Sequence, residues 1–341
     1  MSQISKKVET FSVGFDVAEQ REKYNLDFEL ARQTSKHFGT THHELLLTAE
    51  SVKNNLERAV YHMDEPISNH IQAVNMLLAE EAVKSVAVVL GGDGGDEVWG
   101  GYDRYFFAQM LGPFYKDQSK LYMKFWGLKA DALTRYIKKD FYNETGGRDA
   151  IGRFFNNKFF ANALSSGQEM RKLDSAKKMM YVDLKTWLPD ESLVRSNKMS
   201  MAVGLEQRVP LLNHLLVEFG FKVPSNYKMP VSRNIYKKIA GKNRHGKEIF
   251  IEALKDYLPD HVLNRKKWGW FSPAAKWLRG DLLGYAKEVL SPGCVSGTEE
   301  YLDFAVLNVM LEEHKQKQAW HVNTLWSAIT FQLWFKGQKE K

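Results

Sequence analysis

A single cysteine among 341 residues, Cys294, excludes an internal disulfide and any zinc site built from several thiolates. It suits a reducing compartment. No apolar run nears the ~18 residues of a membrane span. Met1 is followed by Ser-Gln-Ile-Ser-Lys-Lys, which has none of the apolar core of a signal peptide. A cytoplasmic protein with no membrane partner is therefore expected. Prolines number only nine, and no Pro- or Ser-rich linker and no internal repeat is visible. With 44% hydrophobic and 26% charged residues, the chain is neither disordered nor collagen-like, and its length suits two domains.

Lys plus Arg number 48 against 41 Asp plus Glu, giving +7 and a pI near 9.1. A basic balance admits nucleic acid, an anionic membrane or phosphorylated small molecules. The excess concentrates between Lys222 and Lys267, interleaved with Tyr227, Tyr236, Trp268 and Trp270. A solvated basic face is the plain reading of such a run. The run alone does not separate nucleic acid from nucleotide.

The first hundred residues alternate between two periods. Thr10–Phe15 reads as a strand, as does His43–Leu47. Phe28, Ala31 and Phe38 fall in a helical stretch stopped by Gly39. Val52, Leu56 and Val60 keep helical spacing, as do Val74, Leu77 and Leu78. Val86–Leu90 is a continuous apolar run, the pattern of a parallel strand buried on both faces. This order predicts an open α/β sheet. From Asp183 onward the text reads as helices broken at Pro189, Pro210, Pro224 and Pro259.

The apolar run leads directly into Gly91-Gly-Asp-Gly-Gly-Asp-Glu-Val-Trp-Gly-Gly-Tyr102. Six glycines in these twelve residues give a backbone able to pass close to a ligand. In open α/β sheets ligands bind beyond the carboxyl ends of strands. Asp93, Asp96 and Glu97 suit a magnesium–phosphate site, because Mg²⁺ takes oxygen ligands and usually only one or two carboxylates. A flexible turn carrying solvated acids is the plainer alternative. Neither the dinucleotide fingerprint nor the Walker pattern is present. Trp99, Tyr102, Tyr105 and Phe106 read as core rather than as a base-stacking platform, and His42-His43 lacks the spacing of a metal helix.

The loop resembles that of the synthetase domain of glutamine-dependent asparagine synthetases. So do, in the family's order, Thr10–Phe15, His42–Glu44, Asp64-Glu-Pro66, Trp187–Met201, Leu205–Pro210 and Arg265–Trp270. The likeness covers roughly residues 8 to 280, and is weak between about 105 and 180. It implies an α/β fold with a partial, adenine-nucleotide alpha-hydrolase-like parallel sheet, followed by a mainly helical region. The boundaries expected are 1–112 for the residual nucleotide-binding part, 113–182 for a helical insertion and 183–341 for the helical C-terminal part. The implied chemistry is attack of the aspartate β-carboxylate on the α-phosphorus of ATP, loss of pyrophosphate, and attack of ammonia on the aspartyl-adenylate. Such a reaction needs positive charge and Mg²⁺ at the leaving pyrophosphate, and exclusion of water.

Carried over residue by residue, Val13, Gly91 and Gly92 match the family's adenosine contacts, with Gly91 standing where the family usually has Ser. Asp93 matches the acid near the aspartyl-adenylate, where Glu is usual. Asp96 matches the metal-binding carboxylate near pyrophosphate. Lys247, before an apolar helix and Leu258-Pro259, matches the lysine facing the adenylate, and Lys267 is a pyrophosphate candidate. Arg195 and Lys198 read either as substrate contacts or as structural partners of Glu206. Asp64-Glu65-Pro66 reads first as a turn, with a substrate-side role as the alternative.

Two family parts are absent. Residue 1 is Met, residue 2 is Ser and Cys294 is the only cysteine, so no glutamine hydrolysis is expected. The family's pyrophosphate loop, Ser-Gly-Gly-x-Asp-Ser, should precede Phe11–Phe15 and occurs nowhere. The strand that it caps lies, in that family, between those resembling Thr10–Phe15 and Val86–Leu90, so the sheet's first strand is missing. Each unmatched buried polar group costs about 1–3 kcal/mol. The chain is therefore expected to rearrange, to receive the strand from a separate N-terminal or glutaminase segment, or to be a fragment of a longer product. The leading expectation is ATP- and Mg²⁺-dependent amide formation on aspartate with ammonia. Adenylation of another carboxylate and a non-catalytic remnant are the alternatives, and nucleic-acid binding is not expected.

Overall fold

The computed structural model describes residues 1–5, 7–114, 121–122, 135–147, 172–230, 246–264 and 269–339. Strand β1 (Glu9–Phe15), helix α1 (Arg21–Phe38) and strand β2 (Thr41–Leu47) form a β-α-β unit. β1 and β2 pair in parallel, Thr10 opposite His42 and Phe15 opposite Leu47, the pairing a helical crossover permits. Gly39, at φ 64°, ends α1 in the left-handed conformation that glycine adopts freely. Helix α2 (Ala49–Met63) starts at Thr48, whose hydroxyl accepts from the Ser51 N–H while Ser51 returns the bond. Such a cap stabilises by about 1 kcal/mol. Its inner face buries Val52, Leu56, Val60 and Met63. Helix α3 (Gln72–Ala82) follows and leads to β3 (Val88–Leu90).

β3 is not buried on both faces. Val88 and Leu90 are 42% and 54% exposed. It pairs in parallel with β4 (Glu206–Arg208), not with β1. Among the described residues the strands thus form two separate pairs, β1–β2 and β3–β4. The apolar run Val86–Leu90 predicted burial because its composition matches a central strand. Nothing among the described residues covers its free side.

Helix α4 (Gly95–Trp99) begins directly after the glycine-rich turn, and α5 (Asp103–Leu111) follows. The expected break at Pro189 is absent. Ser175–Lys185, a wide π turn at Leu188–Leu193 and Val194–Met201 run on closely, with Pro189 at the start of the π turn, where its missing N–H costs little. Pro210, Pro224 and Pro259 do stand at the starts of new short helices. The largest core joins β1, β2, α2 and α3 to the C-terminal helices through Phe15, Val52, Met63, Trp277, Leu307 and Trp326. A second cluster packs Tyr105 with Met179 and Met180.

Candidate active site

The turn after β3 is built by its glycines. Gly94 (φ 84°) precedes α4 and Gly100 (φ 75°) ends it, both in conformations strained for other residues. A side chain on Gly94 would overlap Leu212, and one on Gly100 would press on Met229. The five-residue α4 then carries Asp96 and Glu97 in its first turn. Lys228, fully buried, donates from its ammonium to the Val98 carbonyl at 2.8 Å and so satisfies the helix's C-terminal end. Burial, then the nearby Lys177, lowers its pKa to about 7.

Lys247 arrives from far along the chain. Its N–H donates to the Trp99 carbonyl at 3.1 Å, and its Nζ lies 3.2 Å from Asp96 Oδ1. Two glycines make room for this pair. A Cβ on Gly101 would overlap Asp96 Oδ1 and sit 2.6 Å from Lys247 Cε. A Cβ on Gly246 would overlap the Gly100 carbonyl and sit 2.9 Å from Gly101 Cα.

Asp93 faces the other side of the turn. Its Oδ1 accepts from Ser192 Oγ at 3.1 Å and its Oδ2 from Gln207 Nε2 at 2.9 Å. Gly91 leaves space for that amide, because a Cβ there would stand 2.5 Å from Gln207 Nε2. Asp93 and Gly91 line a cavity of about 770 Å³ that runs along β1 and β3 and also touches Arg195 and Trp270. Gly92 is exposed, with open space where a Cβ would be.

Behind the turn lies a polar core. Glu97 is 2% exposed. Burial first, then the charge of Asp96, raises its pKa to about 7, against the hydrogen bonds that it makes, one of them with Tyr102. Asp183, also buried, accepts from Tyr105, from Tyr122 at 2.5 Å and from Arg104 Nε at 2.8 Å. This network anchors α5 against the helix Ser175–Lys185 and fixes the floor on which the loop rests.

Of the residues singled out from sequence, Lys247 meets Asp96 at this turn, whereas Gly91 and Asp93 line the cavity of about 770 Å³, which neither Asp96 nor Lys247 lines. Val13 is 6% exposed, its side chain packed in the main core, so it can offer a ligand its backbone only. Lys267 lies outside the described residues. Arg195 and Lys198 do not pair with Glu206. Arg195 Nε donates to Glu191 at 2.6 Å, Lys198 pairs with Asp64, and Glu206 pairs with Arg208. Asp64 does sit in a turn, at φ 62°. Trp99 and Tyr105 are core residues, as their sequence context suggested. Sequence reasoning missed Ser192 and Gln207 as partners of Asp93, although both lie in segments that carry the family likeness. No group of three or more His, Cys, Asp or Glu placed to hold a metal occurs among the described residues. A nucleotide-borne Mg²⁺ needs only one or two carboxylates beside the phosphates, and Asp96, partly exposed at the loop, meets that need. Among the described residues no helix is long and apolar enough to cross a membrane.

Comparison with known proteins agrees with this picture. The family model described as asparagine synthase matches residues 1–336. The asparagine synthetase [glutamine-hydrolyzing] 1 of Bacillus subtilis is 27% identical over 353 residues, covering 98% of this chain and 53% of that protein. A putative asparagine synthetase of Mycobacterium tuberculosis is 27% identical, covering 95% of this chain and 50% of its own length. An asparagine synthetase of Oryza sativa is 26% identical over 78% of the chain. The chain spans about half the length of the first two relatives. With a family model that matches nearly its whole length, and a glycine-rich turn at which Lys247 meets Asp96, the chain belongs to the asparagine synthase family.

Proposed function

We propose that this chain carries the synthetase chemistry of its family: adenylation of aspartate by ATP, then amide formation with ammonia. The observation that carries the reading is the approach of Lys247 Nζ to within 3.2 Å of Asp96 Oδ1, at the turn that also holds Asp93. In the first step a β-carboxylate oxygen of aspartate bonds to the α-phosphorus and the bond to pyrophosphate breaks. In the second, ammonia bonds to the acyl carbon, a proton leaves the nitrogen, and AMP departs with the former carboxylate oxygen.

Lys247 is the compact positive charge for the oxyanion of both steps, carrying three donors on one ammonium group. Asp96 orients Lys247 and is the carboxylate that would hold Mg²⁺, which when bound would neutralise charge on the leaving pyrophosphate. Asp93, held on both oxygens by the neutral donors Ser192 and Gln207, is assigned to the acceptor's amino or ammonia nitrogen. The backbone of Val13, Gly91 and Gly92 is assigned to adenosine, and Lys267 to pyrophosphate. Polypeptide corresponding to the part of the relatives outside the matched half is expected to be needed for full activity. ATP and Mg²⁺ are expected to bind weakly without it.

The test is pyrophosphate release from ATP with Mg²⁺, comparing aspartate with other carboxylates, for the chain alone and with that polypeptide added. Stimulation by aspartate and formation of asparagine support the reading. The second reading, adenylation of a different carboxylate, draws on Gln207. Its amide fills the space over Gly91 and narrows the cavity beside Asp93. Stimulation by another carboxylate and not by aspartate would favour it.

A further inference from the structure

α4 is little more than one turn of helix, five residues from Gly95 to Trp99. A helix so short does not hold itself in water, and its last carbonyls lack partners within the helix. Three of them are met from elsewhere. The Asp96 carbonyl accepts from the Gly101 N–H at 2.8 Å, and the Trp99 carbonyl accepts from the Lys247 N–H at 3.1 Å. Between them in sequence, the Val98 carbonyl accepts from Lys228 Nζ at 2.8 Å. Two of these bonds come from backbone. The third comes from a fully buried side chain.

Burying that ammonium is costly. Among the described residues it has this one hydrogen bond and no carboxylate at ion-pair distance. Asp174 is the carboxylate whose charge it feels, and Asp174 itself accepts from Ser225 Oγ and from the Lys177 N–H. Lys228 lies instead over two aromatic faces, 5.4 Å from the Phe221 ring centre and 5.8 Å from that of Trp99. A methionine would fill the same space with no charge to desolvate. Replacing buried charge by an apolar side chain of like volume is often neutral or stabilising. Stability alone therefore gives no reason for a lysine here.

Its position gives one. Lys228 and Met229 grip the end of α4 at successive residues. Lys228 holds the Val98 carbonyl, and Met229 packs on Gly100, where a Cβ would stand 2.8 Å from Met229 Sδ. The Trp99 ring beside the ammonium stacks on Phe250, with centres 5.3 Å apart and planes at 17°. Phe250 lies on the helix Glu248–Leu254, which Lys247 opens. The ammonium thus bears on Asp96 through the helix that carries it, and on Lys247 through the carbonyl and ring of Trp99. We propose that Lys228 is a positioning residue for the synthetase reaction: its ammonium, bonded to the Val98 carbonyl, holds α4 where Asp96 Oδ1 and Lys247 Nζ meet at 3.2 Å. Having no exposed surface, Lys228 acts through these two residues and not on substrate. Its part in the reaction rests on the adenylation reading; its hold on α4 does not.

Lys228→Met keeps the volume and removes the charge, and Lys228→Gln keeps a neutral donor. On the whole chain, each variant is compared with wild type in unfolding midpoint, in amide hydrogen exchange without nucleotide, and in aspartate-stimulated exchange of labelled pyrophosphate into ATP. For Lys228→Met the midpoint is expected to be unchanged or raised. The Lys247 and Gly101 amides, which bond to α4, are expected to exchange about 10-fold faster. The maximal rate of pyrophosphate exchange is expected to fall on the order of 10- to 100-fold, with half-saturating ATP and aspartate little changed. In a Lys247→Met background the same substitution is expected to alter that rate by less than about twofold, since the group through which it acts is gone. Lys228→Gln is expected to fall between the two on every measure. With an active wild type, an unchanged rate in Lys228→Met overturns the proposal, as does a full further loss in the Lys247→Met background. A midpoint that drops in step with the rate assigns the ammonium to stability alone and overturns it too. A wild type without aspartate-stimulated exchange would sink the adenylation reading alone. The two amides then decide whether Lys228 holds α4, and their exchange at wild-type rates in Lys228→Met would refute it.

Discussion

Gly246 lies backbone to backbone against Gly100, so close that a Cβ on Gly246 would overlap the Gly100 carbonyl oxygen. This contact delivers Lys247 to Asp96. The Lys247 N–H bonds to the neighbouring Trp99 carbonyl, and Lys247 itself takes φ 65° to begin the helix Glu248–Leu254. The position of Nζ thus depends on two glycines distant in sequence and touching in space.

Gly246→Ala is therefore expected to push the Lys247 segment off the turn. Because the clash is with backbone, it cannot be relieved by a rotamer change. A loss of about 1–3 kcal/mol is expected, the usual scale of overpacking, with a fall in aspartate-dependent pyrophosphate release larger than the stability change explains. Urea melts and steady-state assays on the same preparation check this. An unchanged rate would show that the contact does not position Lys247.

Much of this arrangement was legible in the sequence, and the reasons differ by element. β1, α1, β2, α2 and α3 follow from apolar periodicity and from Gly39, because local pattern and tertiary burial agree there. The acids of the glycine turn were visible because dense glycine directly after an apolar run marks a backbone that must bend tightly or admit a ligand. The exposure of Val88 and Leu90 was not legible, since composition reports what a strand is suited to and not whether a neighbour is present. Ser192 and Gln207 were missed because their bonds to Asp93 span about a hundred residues and carry no local signature. Pro189 misled because a π turn admits proline at its start.

Glu97 gives a pH dependence with a definite sign. Burial, then Asp96, raises its folded pKa from 4.5 to about 7. The folded state therefore holds this proton more tightly than the unfolded chain. Its contribution to stability is fully present below about pH 4.5 and is lost as pH rises through about 7. Glu97→Gln removes the titration, so its stability should change less than wild type across this window, by on the order of 1–3 kcal/mol. Urea midpoints at the two ends of the window measure it. Parallel curves for both proteins would mean that Glu97 is charged throughout.

Gly91, Gln207 and Asp93 form a coupled set. Gly91→Ser displaces the Gln207 amide, whose Nε2 stands 2.5 Å from the new Cβ, and breaks its bond to Asp93. Either Gly91→Ser or Gln207→Ala should cost about 1 kcal/mol. The double variant should cost less than the sum, by about 0.5–1 kcal/mol. A double-mutant cycle in thermal or urea unfolding reads this directly, and strict additivity would mean that the two residues do not share the space.

The most direct test of Lys247 as the charge serving the activated carboxyl is exchange of labelled pyrophosphate into ATP, stimulated by aspartate, in wild type and Lys247→Met. The account expects exchange in wild type and a fall on the order of 100-fold in the variant, with its unfolding midpoint little changed. Exchange of equal rate in the two proteins would contradict it.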